Sequence, residues 1–307
     1  MALMATVNGS SAPGRAILLM LAGGFLLTVN DAVMKWLTGG YPVGQLLLVR
    51  SAFSILFIMG LMRFTGGIES LRVRNWRLHL VRSTAVVAGT FFFVSGLQYL
   101  TLAEATAVVF AGPLFITALA PVLIGEHVGW RRWTAVMIGF TGVMIIVRPG
   151  SDAMQWAVMF PLASAMTGAL RDLVTRAAST TEKSTALLAT GTVVTGIGGL
   201  CSYPFGWADI ALPDFGLMAL SGILMAGAHF MVIESFRHGE AAMVAPFKYS
   251  NMIYAVALGF LIWGDLPDLW TWAGTAVLIS SGLYILYRER QVGADIPRTG
   301  TSGGAGG

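Results

Sequence analysis

Apolar residues run along this chain in long blocks, each closed by a short polar or glycine-proline stretch. A helix needs about 20 residues to cross roughly 30 Å of hydrocarbon, and ten blocks reach or approach that length. Their approximate limits are 16–37, 42–62, 79–99, 102–124, 132–148, 153–173, 184–205, 215–235, 240–262 and 269–287. The breaks at Gly39-Gly40-Tyr41-Pro42 and Asp265-Leu266-Pro267 are short, so the spans they join are antiparallel. This pattern predicts an all-α integral membrane protein with ten transmembrane helices.

The polar exceptions carry the next layer. Asn30-Asp31-Ala32-Val33-Met34-Lys35 and Arg171-Asp172-Leu173-Val174-Thr175-Arg176 each place an acid four residues before a base, at a separation of 141 residues. That spacing on a helix sets carboxylate and cation side by side, which predicts two ion pairs and a chain built from two repeats, 16–148 (spans 1–5) and 153–288 (spans 6–10). A second echo supports the duplication: Glu104 through Gly125-Glu126, then Trp133 and Gly139 to Gly142, resembles Glu240 through Gly264-Asp265, then Trp272 and Gly282.

Charge fixes the direction. With the N-terminus cytoplasmic, the inner loops and span ends hold Arg15, Arg63, Arg72, Arg74, Arg77, Arg82, Arg131, Arg132, Arg171, Arg176, Lys183, Arg237, Arg288, Arg290 and Arg298, and the outer loops only Arg148. The positive-inside asymmetry therefore places both termini inside. Five spans per half is odd, so the second half enters with opposite orientation, and the two form an inverted five-helix repeat of the secondary-transporter kind. Asp31/Lys35 then falls near the outer end of span 1 and Asp172/Arg176 near the inner end of span 6, a reading in which they stabilise closed gates on alternate faces.

Composition narrows the alternatives. Hydrophobic residues make up 56% and charged ones 11%, with a mean hydropathy of +0.74, more apolar surface than a soluble fold of this size hides. Cys201 is the single cysteine, so no intramolecular disulfide forms; no Cys/His cluster suggests a metal, and no cofactor is expected. The net charge of +4 is scattered over span ends, which argues against nucleic acid. Residues 1–15 and 289–307 read as flexible tails, and the first apolar run reads as a retained span, too long for a signal-peptide core. There is no Gly-x-Ser-Gly nucleophile, no His-Glu-x-x-His and no phosphate-binding loop, so an enzyme is not expected. The longest polar loop, about 63–78, is too short for a nucleotide-binding domain, and no Thr-Val-Gly-Tyr-Gly filter suggests a channel. The expected partners are the lipid bilayer and a small-molecule substrate, for a monomer or homodimer in the cytoplasmic (inner) membrane.

Ionisable and amphipathic groups at membrane depth are the candidate contacts, because such groups are costly there unless paired or wet. Arg50 stands mid-span 2, and Lys248 follows Pro246-Phe247 in span 9 with Asn251 one helical turn on and Tyr254 beyond. The alternative for each charge is a fixed ion pair. His229, with Glu234 near the inner end of span 8, suits a proton relay, although a histidine bonded to a helix carbonyl fits equally. Gln98-Tyr99 combines stacking surface with a polar tip for a cavity lining. Pro113, Pro121 and Pro161 offer kinks.

The run Ala105-Thr106-Ala107-Val108-Val109-Phe110-Ala111-Gly112-Pro113, then Gly125-Glu126, Gly139-x-x-Gly142-Val143 and Ile145-Ile146, resembles the EamA-type repeat of the drug/metabolite transporter superfamily. The second half is similar but more degenerate, with Gly264-Asp265 and Ser281-Gly282 at the matching places. The resemblance implies a ten-helix carrier with a central cavity working by alternating access. Among the cargoes it implies, amino-acid export is the first expectation, and import of a riboflavin- or nucleoside-type aromatic metabolite is the alternative.

Overall fold

A computed structural model of the 307-residue chain describes residues 13–65, 67–125, 128–149, 156–178, 181–238 and 241–294. Among them the regular structure is helical. In chain order the helices are α1 (Pro13–Leu37), α2 (Val43–Thr65), α3 (Trp76–Leu97), α4 (Leu102–Val109), α5 (Gly112–Ile124), α6 (Trp130–Val147), α7 (Met159–Ala178), α8 (Ser184–Leu200), α9 (Leu212–His238), α10 (Ala241–Val244), α11 (Ser250–Trp263) and α12 (Leu269–Ala294). Hydrocarbon offers the backbone no hydrogen-bond partner, so apolar segments close their own bonds as helices. Most of the two expected tails lies outside the described residues, although α12 runs on to Ala294, past the expected span end at 287.

Eight stretches among the described residues are long and apolar enough to cross a membrane, one of them running through α4 and α5 together. The other two expected spans fall short for visible reasons. Helix α6 has 18 residues, about 27 Å, with Arg131 and Arg132 in its first turn. The last is interrupted: α10 ends at Val244, a 3₁₀ turn fills Ala245–Tyr249, and α11 supplies only 14 residues.

Span 4 is interrupted too, where Phe110 and Ala111 separate α4 from α5. Thr101 and Glu104 form a reciprocal capping box that starts α4, satisfying two otherwise orphaned N–H groups. Both interrupted spans end on a left-handed glycine, Gly125 at φ 66° after α5 and Gly264 at φ 74° after α11. A Cβ is disfavoured in that conformation, which is the physical content of the Gly-Glu and Gly-Asp echo.

The two expected repeats interleave. Helix α1 packs along α9, α3 along α7, α2 against α8 and α9, α3 against α8, α6 along α12, and α4 on α11. Exchanging α1 with α7, α2 with α8, α3 with α9, α4–α5 with α10–α11 and α6 with α12 turns this list into itself. Helix α4 is the most enclosed, with Leu102, Ala103, Ala105, Thr106, Ala107 and Val108 all buried. Large apolar side chains such as Leu18, Leu56, Val122, Met137, Ile197 and Leu261 are left exposed, as a lipid-facing perimeter requires.

Glycine sets the closest approach. A Cβ on Gly142 would meet the Gly274 carbonyl at 2.8 Å, and one on Gly274 would meet the Gly142 carbonyl at 2.6 Å. Backbone-to-backbone contact is how membrane helices gain dispersion without a hydrophobic drive. Gly142→Leu is expected to separate α6 from α12 and to cost at least about 3 kcal/mol, the upper range for overpacking. Loss of the monodisperse peak in size-exclusion chromatography would register it, and an unchanged profile would contradict the contact.

At the start of α3 a carboxylate ties the polar loop to the bundle. Glu182 accepts from the backbone N–H groups of Arg74 and Asn75 at 3.1 and 2.6 Å and lies 3.1 Å from His79 Nε2. His79 and Glu182 are both buried, and His79 Nδ1 meets Thr190 at 2.8 Å. Burial disfavours the charged carboxyl, but these donors outweigh it and hold Glu182 below its ordinary 4.5. A depressed carboxyl stabilises the fold above its unfolded pKa, and that contribution disappears as pH falls through the folded value. Glu182→Gln should therefore melt lower than the parent at about pH 7, with the gap narrowing as the medium is acidified below the ordinary carboxyl range. Thermal melting in detergent reads this, and a constant gap would contradict it.

Candidate functional site

Two polar centres sit inside the bundle. In the first, Asn30 Nδ2 donates to Asp31 Oδ1 at 3.0 Å, and Ser221 of α9 donates to Asn30 Oδ1 at 2.7 Å. Arg50 of α2 is only 5% exposed and lies within electrostatic reach of Asp31. A guanidinium at this depth requires a counter-charge, and Asp31 supplies it.

The second centre is built on α7. Arg171 Nε and Nη2 both donate to Asp172 Oδ1 at 2.9 Å. Arg82 of α3 donates from Nε to Thr175 Oγ1 at 2.8 Å and from Nη1 to the Leu187 carbonyl at 2.7 Å. Lys248, on the 3₁₀ turn before α11, is exposed and reaches Asp172 electrostatically, as Arg82 does. His229 stands between the centres, its Nδ1 donating to the Met225 carbonyl at 2.9 Å and its ring within the field of Arg171, Arg50 and Arg82.

The two interrupted spans meet beside these charges. Phe110, in the α4–α5 break, contacts Tyr249 edge to face at 4.9 Å between ring centres. Tyr249 Oη, Ser250 Oγ and Asn251 Oδ1 are buried, and none has a hydrogen-bond partner among the described residues. Gly24 receives the Asn251 amide and Gly282 the Tyr249 hydroxyl, positions where a side chain would collide with each. Buried polar atoms are nearly always satisfied, so three consecutive unpaired ones single this segment out.

The sequence-predicted residues divide accordingly. Lys248, Asn251, Arg50 and His229 come together around the interior. Tyr254 lies one turn further along α11, edge to face with Phe25 at 5.5 Å. Tyr99 stands apart, 57% exposed and packed on Trp156 and Phe160 at 5.0 and 6.1 Å. The expected Asp31/Lys35 pair is not made. Lys35 Nζ instead donates to the carbonyls of Leu97 and Leu100 at 3.2 and 2.6 Å and lies over Trp263. The reason is that carbonyls ending a helix have no intrahelical donor, and an ammonium satisfies them better than it competes for a carboxylate already held by its own neighbour. Asp172 pairs with the adjacent Arg171, and the side chain of Arg176 lies outside the described residues. His229 takes the carbonyl-bonded alternative.

Lys35 also lines a cavity of about 320 Å³ with Trp36, Leu97, Gln98 and Trp263, at the ends of α1, α3 and α11. Sequence reasoning placed Arg82 only among span-end charges and missed the roles of Asn30, Ser221 and Phe110. Nothing in their spacing signals them, because each acts through a residue more than 90 positions away or across a helix break.

Charged groups enclosed among apolar helices, with two interrupted spans meeting at their side, define a multi-pass membrane protein of the transporter class. The chain belongs to the EamA-like transporter family, whose model matches residues 14–148, within the drug/metabolite transporter superfamily. It is 30% identical over 284 residues to the riboflavin transporter of Rhizobium johnstonii, covering 90% of this chain and 93% of that one. The S-adenosylmethionine uptake transporter of Rickettsia bellii is 23% identical, with 88% and 94% covered, and the pseudopaline exporter of Pseudomonas aeruginosa 24% identical, with 86% and 93% covered. A solved crystal structure shares the fold with a TM-score of 0.64 at 16% identity, over 91% of this chain and 99% of its own.

Proposed function

We propose that this protein is a secondary carrier, independent of ATP, that moves a small heteroaromatic metabolite across the inner membrane by alternating access. The observation that carries the reading is the meeting of two interrupted helices at a cluster of unpartnered buried polar atoms, Tyr249 Oη, Ser250 Oγ and Asn251 Oδ1. Broken spans at corresponding places in two halves are where carriers of this architecture bind cargo. The exchange-symmetric helix packing and the matched glycines Gly125 and Gly264 support ten spans in two inverted five-span repeats, 16–148 and 153–288. The distribution of arginine supports cytoplasmic termini.

The cargo we favour is of the riboflavin or nucleoside kind, in the uptake direction, ahead of the amino-acid export first expected. Phe110 and Tyr249 offer aromatic edges and faces beside the unpartnered polar atoms, a combination suited to a flat heterocycle. Relatives named for riboflavin transport and S-adenosylmethionine uptake point the same way, while a relative named as an exporter favours the other direction. Lys35 and its carbonyl acceptors, with Trp36 on Trp263, act as the closure on one face. Purified protein in liposomes should exchange labelled riboflavin or a labelled nucleoside against internal unlabelled solute. Exchange of amino acids alone would overturn the cargo, and exchange of nothing in a broad panel would overturn the carrier.

A further inference from the structure

The interior charges do not balance. Four cations converge from separate elements: Arg50 from α2, Arg82 from α3, Arg171 from α7 and Lys248 from the turn before α11. Among the described residues only Asp31 and Asp172 answer them. Asp31 compensates Arg50, and both bonds from Arg171 fall on Asp172. Arg82 finds neutral acceptors, Thr175 Oγ1 and the Leu187 carbonyl, and Lys248 makes no hydrogen bond to a described residue.

Two positive charges are therefore left over, on half-buried Arg82 and on exposed Lys248, beside buried charges that are less screened than they would be in water. Helix ends add to the excess. Helices α5 and α11, of 13 and 14 residues, both begin at the interruptions without a side-chain cap, and a helix N-terminus carries a partial positive charge. The positive field and the aromatic pair adjoin, since Lys248 precedes Tyr249 directly.

The geometry points to a cargo that is an aromatic organic anion, its ring against Phe110 and Tyr249 and a carboxylate or phosphate group directed toward Arg82 and Lys248. This rests on the carrier reading above and narrows it by charge. A solute of opposite charge completes the electrostatics of the site, whereas a cationic one adds to the repulsion. Selectivity follows from desolvation: each guanidinium or ammonium hydrogen bond to an anion is about twice as strong as a neutral one.

Two matched pairs of probes test it, riboflavin 5′-phosphate against riboflavin and indole-3-acetate against indole-3-acetamide, titrated into purified protein in detergent with flavin or tryptophan fluorescence as readout. In at least one pair the anion should bind about tenfold more tightly. A preference in the flavin pair assigns a phosphate and one in the indole pair a carboxylate. Lys248→Gln, an exposed change that leaves packing intact, should reduce the preference several-fold by weakening the anion more than the neutral member. Arg82→Gln should do the same, and Arg82→Lys should retain the preference. Equal binding within both pairs, a preference for the neutral or no binding by any probe overturns the inference. Counterflow in proteoliposomes separates the two readings. Anion-selective binding without counterflow keeps the charge assignment and removes the carrier, while counterflow of riboflavin with no charge preference does the reverse.

Discussion

Arg50→Met is expected to cost about 3–5 kcal/mol of stability, because removing one partner of a buried pair leaves the other charge uncompensated. Arg50 is 5% exposed, and Asp31 is the carboxylate within its field. Among the described residues, Asp31 would retain only the bond from Asn30, itself held by Ser221. The double variant Arg50→Met/Asp31→Asn removes both charges at similar shape and should recover most of the loss. Thermal melting of the four proteins in detergent forms a double-mutant cycle. A single variant as stable as the parent, or a double variant as unstable as the single, would show that the two groups are not coupled.

Asn251→Ala should separate activity from stability. Asn251 Oδ1, Ser250 Oγ and Tyr249 Oη are buried without partners, and each such group costs about 1–3 kcal/mol relative to a satisfied one. Deleting one should leave the melting temperature unchanged or raised. Transport should nevertheless fall by about tenfold or more, the scale of one lost hydrogen bond to a solute. Solute counterflow measured beside thermal melting decides it. Lower stability with intact transport would mean that Asn251 is a packing group and that the interruption of span 9 has no part in binding.

The same logic explains which parts of the site were legible. Arg50, Lys248 and Asn251 stood out because ionisable and amide groups in an apolar run are too costly to be incidental. The interruption of span 9 was signalled by Pro246, which lacks the N–H that a continuous helix needs. The break in span 4 precedes Gly112-Pro113, a pair well suited to restart a helix. Lys35 was misassigned because spacing on one helix shows only which groups are able to meet. Its ammonium found the carbonyls of Leu97, the last residue of a different helix, and of Leu100 in the turn after it. Glu182 and His79 were invisible for the same reason, being more than a hundred residues apart in the chain.

Local sequence is enough to determine that this chain is helical and lies in a membrane. Apolar run length and the cost of bare backbone in hydrocarbon are both readable one segment at a time. Partner choice for the acids and bases was decided by tertiary structure alone. Helix α7 brings Arg171 and Asp172 beside Arg82 of α3, and the approach of α11 to α1 and α4 sets Lys248 within electrostatic reach of that carboxylate and Tyr249 against Phe110. Electrostatic energy depends on distance and burial rather than on order in the chain. The balance of charge that bears on the cargo therefore emerges only when the helices are packed.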